Sequence, residues 1–340
     1  MSKEFLSVTQ VKTAIEKGGY IPQTIGLWID PSVYEERSAE VSSIKDNHPI
    51  DFTMLIPTFP GYAKSPFDEY PSYVWGKQVS SSSKAIDSQQ LIDDWDELDD
   101  FIANMPKYSF EPITNAAVKE AAEDKTGRYR LCHFWYFLYE RLWSFRGMEN
   151  ALIDMHTNPN EIKRLFEALC EFYIGVIDRV HTEIGCDGVY VTDDMGTQLN
   201  LMFSPAMFRE LFLPYYKKVV DECHKRGLHF WLHSCGNIES ILPDLIDIGV
   251  DVIHPIQKFT MDEAAIAAKY KEQICFMCGM DVQQTMPFGT PDDVRSEVKR
   301  LIHTFAGDGG RMIFSMGNGV TPNIPIENIE ALYDEVYRFR

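Results

Sequence analysis

A histidine and a cysteine two residues apart, His233 and Cys235, are the residues of this sequence best suited to bind a metal ion. They follow the short apolar run His229–Leu232 and precede Gly236 and Asn237. Because side chains alternate along an extended chain, residues i and i+2 point to the same side. An imidazole nitrogen and a thiolate are both ligands of Zn²⁺. The pair therefore predicts a zinc site; the alternative is a buried, hydrogen-bonded histidine beside a cysteine that only fills space.

Polar residues also follow the neighbouring apolar runs, where each predicted strand ends. Asp193 and Asp194 come directly after one run and are candidate catalytic proton donors, although an aspartate after a strand is often a helix cap. Cys278, after a later run, and Asp194 are the candidates for a further metal ligand. The candidate substrate-binding residues at these ends are Gln198, His254, Gln257 and Asn318.

From about residue 129 onward, apolar runs rich in β-forming residues alternate with segments of helical period. This alternation predicts an α/β fold with a parallel sheet, and the lack of a Gly-rich dinucleotide fingerprint favours a (β/α)8 TIM barrel over a doubly wound sheet. The active site of such a barrel lies at the carboxyl ends of its strands. The remaining runs are Tyr129–Trp135, Gly188–Thr192, Val252–Ile256, Ile274–Met277 and Met312–Ser315.

Helices and earlier strands complete the predicted barrel. The spacing and caps predict helices over 204–227, 290–307 and 326–339, and a short amphipathic helix at the amino terminus. The segments 25–29 and 51–57 are interpreted as a first hairpin or as early barrel strands. We therefore predict one barrel domain over residues 1–340, in which residues 1–128 form an N-terminal extension with insertions.

The composition excludes several classes of partner. With 32 Lys+Arg against 51 Asp+Glu, the formal net charge of −19 argues against nucleic acid, since phosphate binding needs a basic surface. The sequence has no apolar run long enough to span a membrane and no signal-peptide core. The 7 cysteines are an odd number spread over a long chain, which favours reduced thiols and a cytoplasmic location.

Several stretches of this sequence resemble the uroporphyrinogen decarboxylase superfamily. They include DGVYVTDDMGTQ, SPAMFRELFLPYYKKVVDECHKRG and HFWLHSCGNIESILPDLIDIGVDVIHPIQ, together with the tail GNGVTPNIPIENIEALYDEV. The helix FLYERLWSFRGMENALIDMHTNP is similar to one in the methyltransferase-like branch of that superfamily. The resemblance covers about residues 129–340 well and residues 1–128 poorly. It implies a single (β/α)8 barrel, in agreement with the pattern.

The superfamily divides into two branches. Its decarboxylases of porphyrin biosynthesis hold the carboxylates of their substrate with an arginine-containing N-terminal motif. The matching region here, IPQTIGLWIDPSVYEE, has no arginine before Arg37, and a chain this acidic is poorly suited to a substrate with eight carboxylates. The resemblance therefore favours the other branch over a decarboxylase.

The favoured branch contains cobamide-dependent methyltransferases, which bind Zn²⁺ through an H-x-C pair and a cysteine from the last strand. His233 and Cys235 match the pair, but Asn318 stands where the branch has cysteine, so a bound zinc would need another donor such as Asp194, His254 or Cys278. The resemblance implies a corrinoid protein as partner and a small methyl donor, such as an aryl methyl ether in an O-demethylase reaction, or a thiol acceptor. A non-catalytic binding subunit of a corrinoid complex is the remaining alternative, and association into a homodimer is left open.

Overall fold

A computed structural model describes residues 4–57, 73–74, 77–78, 91–105, 116–134, 136–256 and 258–340 of the chain. Within these ranges the main sheet has seven parallel strands in the order β1-β4-β5-β6-β7-β8-β9, and β2 and β3 form a separate antiparallel pair. The strands are β1 Phe52–Leu55, β2 Tyr73–Val74, β3 Lys77–Gln78, β4 Tyr129–Phe134, β5 Gly188–Thr192, β6 His229–His233, β7 Val252–His254, β8 Cys275–Met280 and β9 Met312–Met316.

Helices follow most of these strands, as expected for a parallel sheet with crossover connections. The helices are α1 Val8–Lys17, α2 Ser38–Asp46, α3 Leu98–Ala103, α4 Ala116–Glu123, α5 Tyr139–Arg146, α6 Met148–Thr157, α7 Pro159–Arg179, α8 Pro205–Met207, α9 Leu213–Lys225, α10 Leu242–Asp247, α11 Glu263–Tyr270, α12 Thr285–Phe288, α13 Pro291–Ala306 and α14 Ile326–Val336. The helix predicted over 204–227 is interrupted by a π-helical turn over Phe208–Phe212. Pro214 follows this turn and has no N–H for a regular helical hydrogen bond.

Seven strands rather than the predicted eight form the sheet among the described residues. The segment around Gln23 lies between the two edge strands: it makes a single parallel bridge to Phe314 of β9, and its carbonyl accepts from the N–H of Asp51, just before β1. The predicted hairpin is wrong, since β1 pairs in parallel with β4 and residues 25–27 form a 3₁₀ turn. Among the described residues of 1–128, β1 and the segment around Gln23 therefore supply part of the wall formed by the sheet.

Side chains alternate between two apolar cores, as the period of a strand requires. One core lies between the sheet and its helices, and the other fills the inside of the sheet with residues such as Phe52, Tyr129 and Trp231. Val11 and Ile15 of α1 join the inner core, so α1 covers the barrel at the amino ends of the strands. The carboxyl ends are left for the polar residues.

Two further expectations from the sequence concern the oxidation state of the cysteines and membrane-spanning segments. All seven cysteines carry free thiols, in line with the expected reduced state. No helix in the described part of the chain is long and apolar enough to cross a bilayer.

Candidate functional site

Three metal-ligating side chains meet at the carboxyl ends of β5 and β6. The Cys235 Sγ lies 3.3 Å from the His233 Nε2, and the Asp194 Oδ1 lies 3.5 Å from the same nitrogen. The potential ligand atoms of the three residues all fall within 4.8 Å of one another, and no other such group of three occurs among the residues that the structure describes. The predicted His-Cys pair thus shares its site with Asp194.

This donor set fits a zinc ion. With Zn–N and Zn–O bonds of about 2.0–2.2 Å and Zn–S bonds of about 2.3 Å, tetrahedral coordination places neighbouring donors about 3.4–3.6 Å apart. The separations of 3.3 Å and 3.5 Å are close to those values before any adjustment of the side chains. The set of one imidazole, one thiol and one carboxylate consists of groups that Zn²⁺ accepts, and three protein ligands leave a fourth position open.

Two glycines allow the loops that carry these ligands to pack against each other. The N–H of Gly196 donates to the Cys235 carbonyl, and the N–H of Asn237 donates to the Thr197 carbonyl. Gly236 has a φ of +81°, and a Cβ there would lie 2.4 Å from backbone atoms of Gly196. Only glycine fits so close a contact at a positive φ. The loops are thereby held together, and Cys235 donates its own N–H to the Asp194 Oδ1 at 2.7 Å.

Below the ligands, a second histidine supports His233 from β7. The His254 Nδ1 lies 2.7 Å from the His233 Nδ1, and the Tyr190 hydroxyl lies 3.1 Å from the same His254 atom. Trp28 stacks on His254, with ring centroids 5.0 Å apart. Burial lowers the pKa of both histidines, and for His254 the nearby His233 lowers it further. Both imidazoles are therefore neutral, which is the state that binds metal.

The pKa of the Cys235 thiol is shifted upward, in the opposite direction from the pKa values of the two histidines. Burial, and then the carboxylates of Asp194 and Glu140, raise the pKa of Cys235 to about 12. In the protein alone this thiol is protonated, so a thiolate forms there only when a cation compensates its charge. The site therefore disfavours a free nucleophilic thiolate and suits a metal-bound one.

Asp193, predicted as a catalytic carboxylate, has no exposed surface. It accepts from the N–H of Glu140 at 2.8 Å, from the N–H of Leu138 at 3.3 Å and from the Tyr216 hydroxyl. Burial raises its pKa to about 6. These contacts place the Asp193 carboxylate against the N-terminal N–H groups of α5, a helix that precedes β5 in the chain, and not at the start of the helix that follows β5. The structure brings Asp194, and not Asp193, to the ligand cluster.

Of the other predicted residues that the structure describes, Asn318 alone shares a pocket with Cys235. This pocket has a volume of about 80 Å³, and its polar lining includes Lys258, Asp281 and Gln283. Lys258 is paired with Glu297 at 2.7 Å, so its charge is already compensated. The side chain of Asn318 is exposed, and its Oδ1 accepts from the N–H of Gly319.

The remaining candidates lie elsewhere. Cys278 is 1% exposed and belongs to the core between sheet and helices, because it alternates with Met277 of the inner core. It faces away from the ligands, so the prediction of Cys278 as a ligand is corrected. His254 is fully buried beneath His233 and is not placed to touch a substrate. Gln198 is exposed on the loop after β5 and is not part of the pocket lining, and Gln257 lies outside the described residues.

Sequence reasoning missed Tyr190 and Trp28. Tyr190 had a usable signal, since it lies two residues before Thr192 on the strand and must share its inward face. Trp28 had none, because a 3₁₀ turn far away in sequence brings it over the histidines.

A family model and individual relatives match this sequence. The uroporphyrinogen decarboxylase (URO-D) model matches residues 142–339. A uroporphyrinogen decarboxylase from Chlorobium phaeobacteroides is 26% identical over 160 residues, covering 45% of this chain and 42% of the relative. The methylcobamide:CoM methyltransferase MtbA from Methanosarcina mazei is 23% identical over 187 residues, covering 55% of this chain and 52% of the relative. The chain thus spans about half the length of the curated relatives it matches.

A solved structure has the same fold over the whole chain. A methyltransferase from Methanosarcina mazei superposes with a TM-score of 0.62 at 15% identity, covering 99% of both chains. At that identity the likeness establishes the fold alone. The family model, however, spans more than half of the 340 residues, including both β-strand loops that carry the ligand cluster. The chain therefore belongs to the uroporphyrinogen decarboxylase (URO-D) family.

Proposed function

We propose that this protein is a zinc-dependent methyltransferase that moves a methyl group between a small donor or thiol acceptor and a corrinoid carried by a partner protein. The observation that carries the proposal is the cluster of Asp194, His233 and Cys235 at the barrel mouth, with donor separations that suit zinc. The names of two relatives in the comparison, both methyltransferases and one acting on methylcobamide, support this choice within the family.

Asp194 takes the place of the missing third thiolate. His233 would bind through Nε2, Cys235 through Sγ and Asp194 through Oδ1, while Asn318 remains a polar group of the adjoining pocket. Zinc, when bound, supplies a positive charge that lowers the pKa of a thiol or stabilises the oxygen leaving a methyl ether. Replacing a thiolate by a carboxylate makes the ligand set harder, which favours oxygen ligation in the open position.

The chain's own residues have distinct tasks around that position. The lining of the pocket beside Cys235 includes the apolar residues Pro255, Ile256 and Val282, which would limit the access of water to a bound methyl group. Asn318 and Gln283 offer amide groups that can orient a small polar substrate. Asp193 keeps the end of β5 fixed by capping α5, which holds its neighbour Asp194 next to the pair.

The loops around the barrel mouth suit a protein partner. In a chain of net charge −19, the five loops after β5 to β9 contain few charged residues. These are Asp193, Asp194, Glu239, Lys258, Asp262 and Asp281. The same loops expose large apolar side chains, since Leu199 is 77% and Phe259 69% exposed, and Phe288, the last residue of α12 just after the loop that follows β8, is 73% exposed. Large exposed apolar side chains around a site are typical of an interaction surface, and a corrinoid must approach the zinc through this mouth.

A decarboxylase acting on a porphyrinogen is disfavoured by the same pocket. Such a substrate carries many carboxylates and needs several arginines or lysines. Among the described residues that line the pocket, Lys258 is the one basic side chain, and Glu297 already neutralises it.

The proposal is tested with a purified corrinoid protein in the Co(I) state, mixed with the zinc-loaded protein and a panel of methylated donors. Formation of methyl-Co(III), seen in the cobalt absorption bands, is the expected result with at least one donor, and the reverse transfer to a thiol is followed in the same way. Cys235→Ala should abolish the transfer, while Cys278→Ala, which removes a thiol on the helix side of β8, should retain it. Turnover of uroporphyrinogen without methyl transfer would overturn the proposal in favour of a decarboxylase.

Charges introduced at the rim should weaken the partner interaction. We expect Phe259→Asp and Phe288→Asp to raise the KM for the corrinoid protein by about tenfold or more, because each buries a carboxylate in an apolar contact. Zinc content should stay unchanged. Phe339→Asp is the matched control, since Phe339 is 43% exposed beside Tyr20 and Gly307 at the other end of the barrel. An equal effect of all three variants would argue against docking at the mouth.

A further inference from the structure

The two histidines at the ends of β6 and β7 face each other through their Nδ1 atoms, 2.7 Å apart. At this separation one proton must lie between the two nitrogens, since two N–H groups would clash and two bare lone pairs would repel. One histidine therefore donates and the other accepts. The identity of the donor decides which nitrogen of His233 is left to bind a metal.

The other ring nitrogen of His254 settles this question. His254 Nε2 lies 3.2 Å from the Met316 carbonyl, which can only accept, so that nitrogen carries the hydrogen. In a neutral imidazole the Nδ1 of His254 is then the acceptor. The Tyr190 hydroxyl lies 3.1 Å from this atom and 3.4 Å from His233 Nδ1. The nitrogen has one lone pair, and His233 Nδ1, at 2.7 Å, is the nearer donor to it.

The tautomer of His254 determines the tautomer of the proposed metal ligand His233. If His254 Nδ1 accepts, His233 Nδ1 is the donor, and His233 Nε2 keeps its lone pair. This lone pair faces Cys235 Sγ at 3.3 Å and Asp194 Oδ1 at 3.5 Å. In the opposite tautomer His233 would direct an N–H at both of these groups, and no metal could bind to it.

We infer that His254 is a positioning residue that fixes the tautomer of His233, so that Nε2 is presented to the metal. A histidine that ligates zinc commonly donates its second ring N–H to a carboxylate, a carbonyl or water. Here a neutral imidazole takes that place, and it is held in turn by the carbonyl of Met316 on β9. The inference rests on the proposed zinc site for its purpose, but the hydrogen-bond chain exists without the metal.

Burial restricts the groups that can form hydrogen bonds with these two histidines. His254 has no exposed surface, and Trp28 stacks on both histidines with interplanar angles of 23° and 27°. Water is thus kept from His254, so that no solvent molecule can replace it as the acceptor for His233. Removing the imidazole would leave the Nδ1–H of His233 with only the long contact to the Tyr190 hydroxyl at 3.4 Å, which favours the other tautomer.

The first test measures tautomers in the metal-free protein. In protein labelled with ¹⁵N-histidine, long-range ¹H–¹⁵N correlation spectra distinguish Nδ1–H from Nε2–H imidazoles. We expect His233 as the Nδ1–H form and His254 as the Nε2–H form, with His233→Gln and His254→Asn used to assign the signals. A wild-type His233 in the Nε2–H form would overturn the inference whatever the protein does with zinc.

The second test measures zinc affinity by competition with a chromophoric chelator. His254→Phe keeps an aromatic ring beneath Trp28 but removes the acceptor, and is expected to weaken zinc binding by about 10- to 100-fold. His254→Asn places an amide oxygen near the Nδ1 position and should restore most of the affinity. Tyr190→Phe, which leaves the histidine pair intact, should have a much smaller effect than His254→Phe.

These outcomes separate the inference from the proposed function. Equal zinc affinity in His254→Phe and wild type would contradict it, as would a His254→Asn variant that folds but binds no better than His254→Phe. Circular dichroism of each variant checks that it is folded. If the wild type binds no zinc at all, the proposed function fails, while the spectra still decide whether His254 sets the tautomer.

Discussion

Substitution of Asp194, His233 or Cys235 by alanine is expected to remove zinc from the protein, whereas the wild type should retain about one zinc per chain after zinc-replete preparation. The three ligand atoms are mutually within 4.8 Å, and each donor supplies one of only three protein bonds to the ion. Loss of one leaves two, which is too few for a stable site. Metal content by inductively coupled plasma mass spectrometry measures the result directly.

The Asp194 variant carries the most information. His233 and Cys235 were expected from the sequence, but Asp194 is chosen over Cys278 and His254 by geometry alone. Cys278→Ala is the matched control, since it changes a thiol of the same sheet that does not reach the cluster. Full zinc in Asp194→Ala, or its loss in Cys278→Ala, would contradict the assignment.

Much of the fold could be predicted because it depends on periodic patterns. The six later strands appear where apolar runs alternate with helical segments, and α13 spans Pro291–Ala306 after the Thr290 cap, within a residue of the predicted limits. The pattern failed at residues 25–29, where an apolar run forms a 3₁₀ turn. A run of five residues has no period long enough to distinguish a strand from a turn packed beneath the barrel mouth.

The site was predictable in kind but not in detail. The polar residues that follow the predicted strands indicated the correct edge of the sheet. The alternation of side chains along an extended chain correctly placed His233 and Cys235 next to each other. Asp193 and Asp194 are adjacent in sequence, so only the position of α5 shows that the first is a buried cap and the second a potential ligand. Cys278 was misplaced because the strand extends to Met280, which fixes its side chain toward the helices.

The close contact between Gly236 and Gly196 predicts that Gly236→Ala will damage the site severely. An added Cβ would lie 2.4 Å from Gly196 and 2.7 Å from the Thr197 carbonyl, so the loops after β5 and β6 must separate. Asp194 is tied to Cys235 through the N–H contact at 2.7 Å, and would move with its loop. We expect a large loss of zinc affinity together with a lower melting temperature.

Gly227→Ala separates this steric effect from backbone strain. Gly227 has a similar φ of +69°, but a Cβ there would meet nothing within 4 Å. It should cost only the strain of a left-handed residue, about 1–2 kcal/mol in the free energy of unfolding, and leave zinc binding intact. Gly236→Ala carries the same strain plus the clash. If the two variants had the same free energy of unfolding and the same zinc affinity, the packing of the two loops would not be what places Asp194 beside His233 and Cys235. The ligand cluster would then be held by the strands alone.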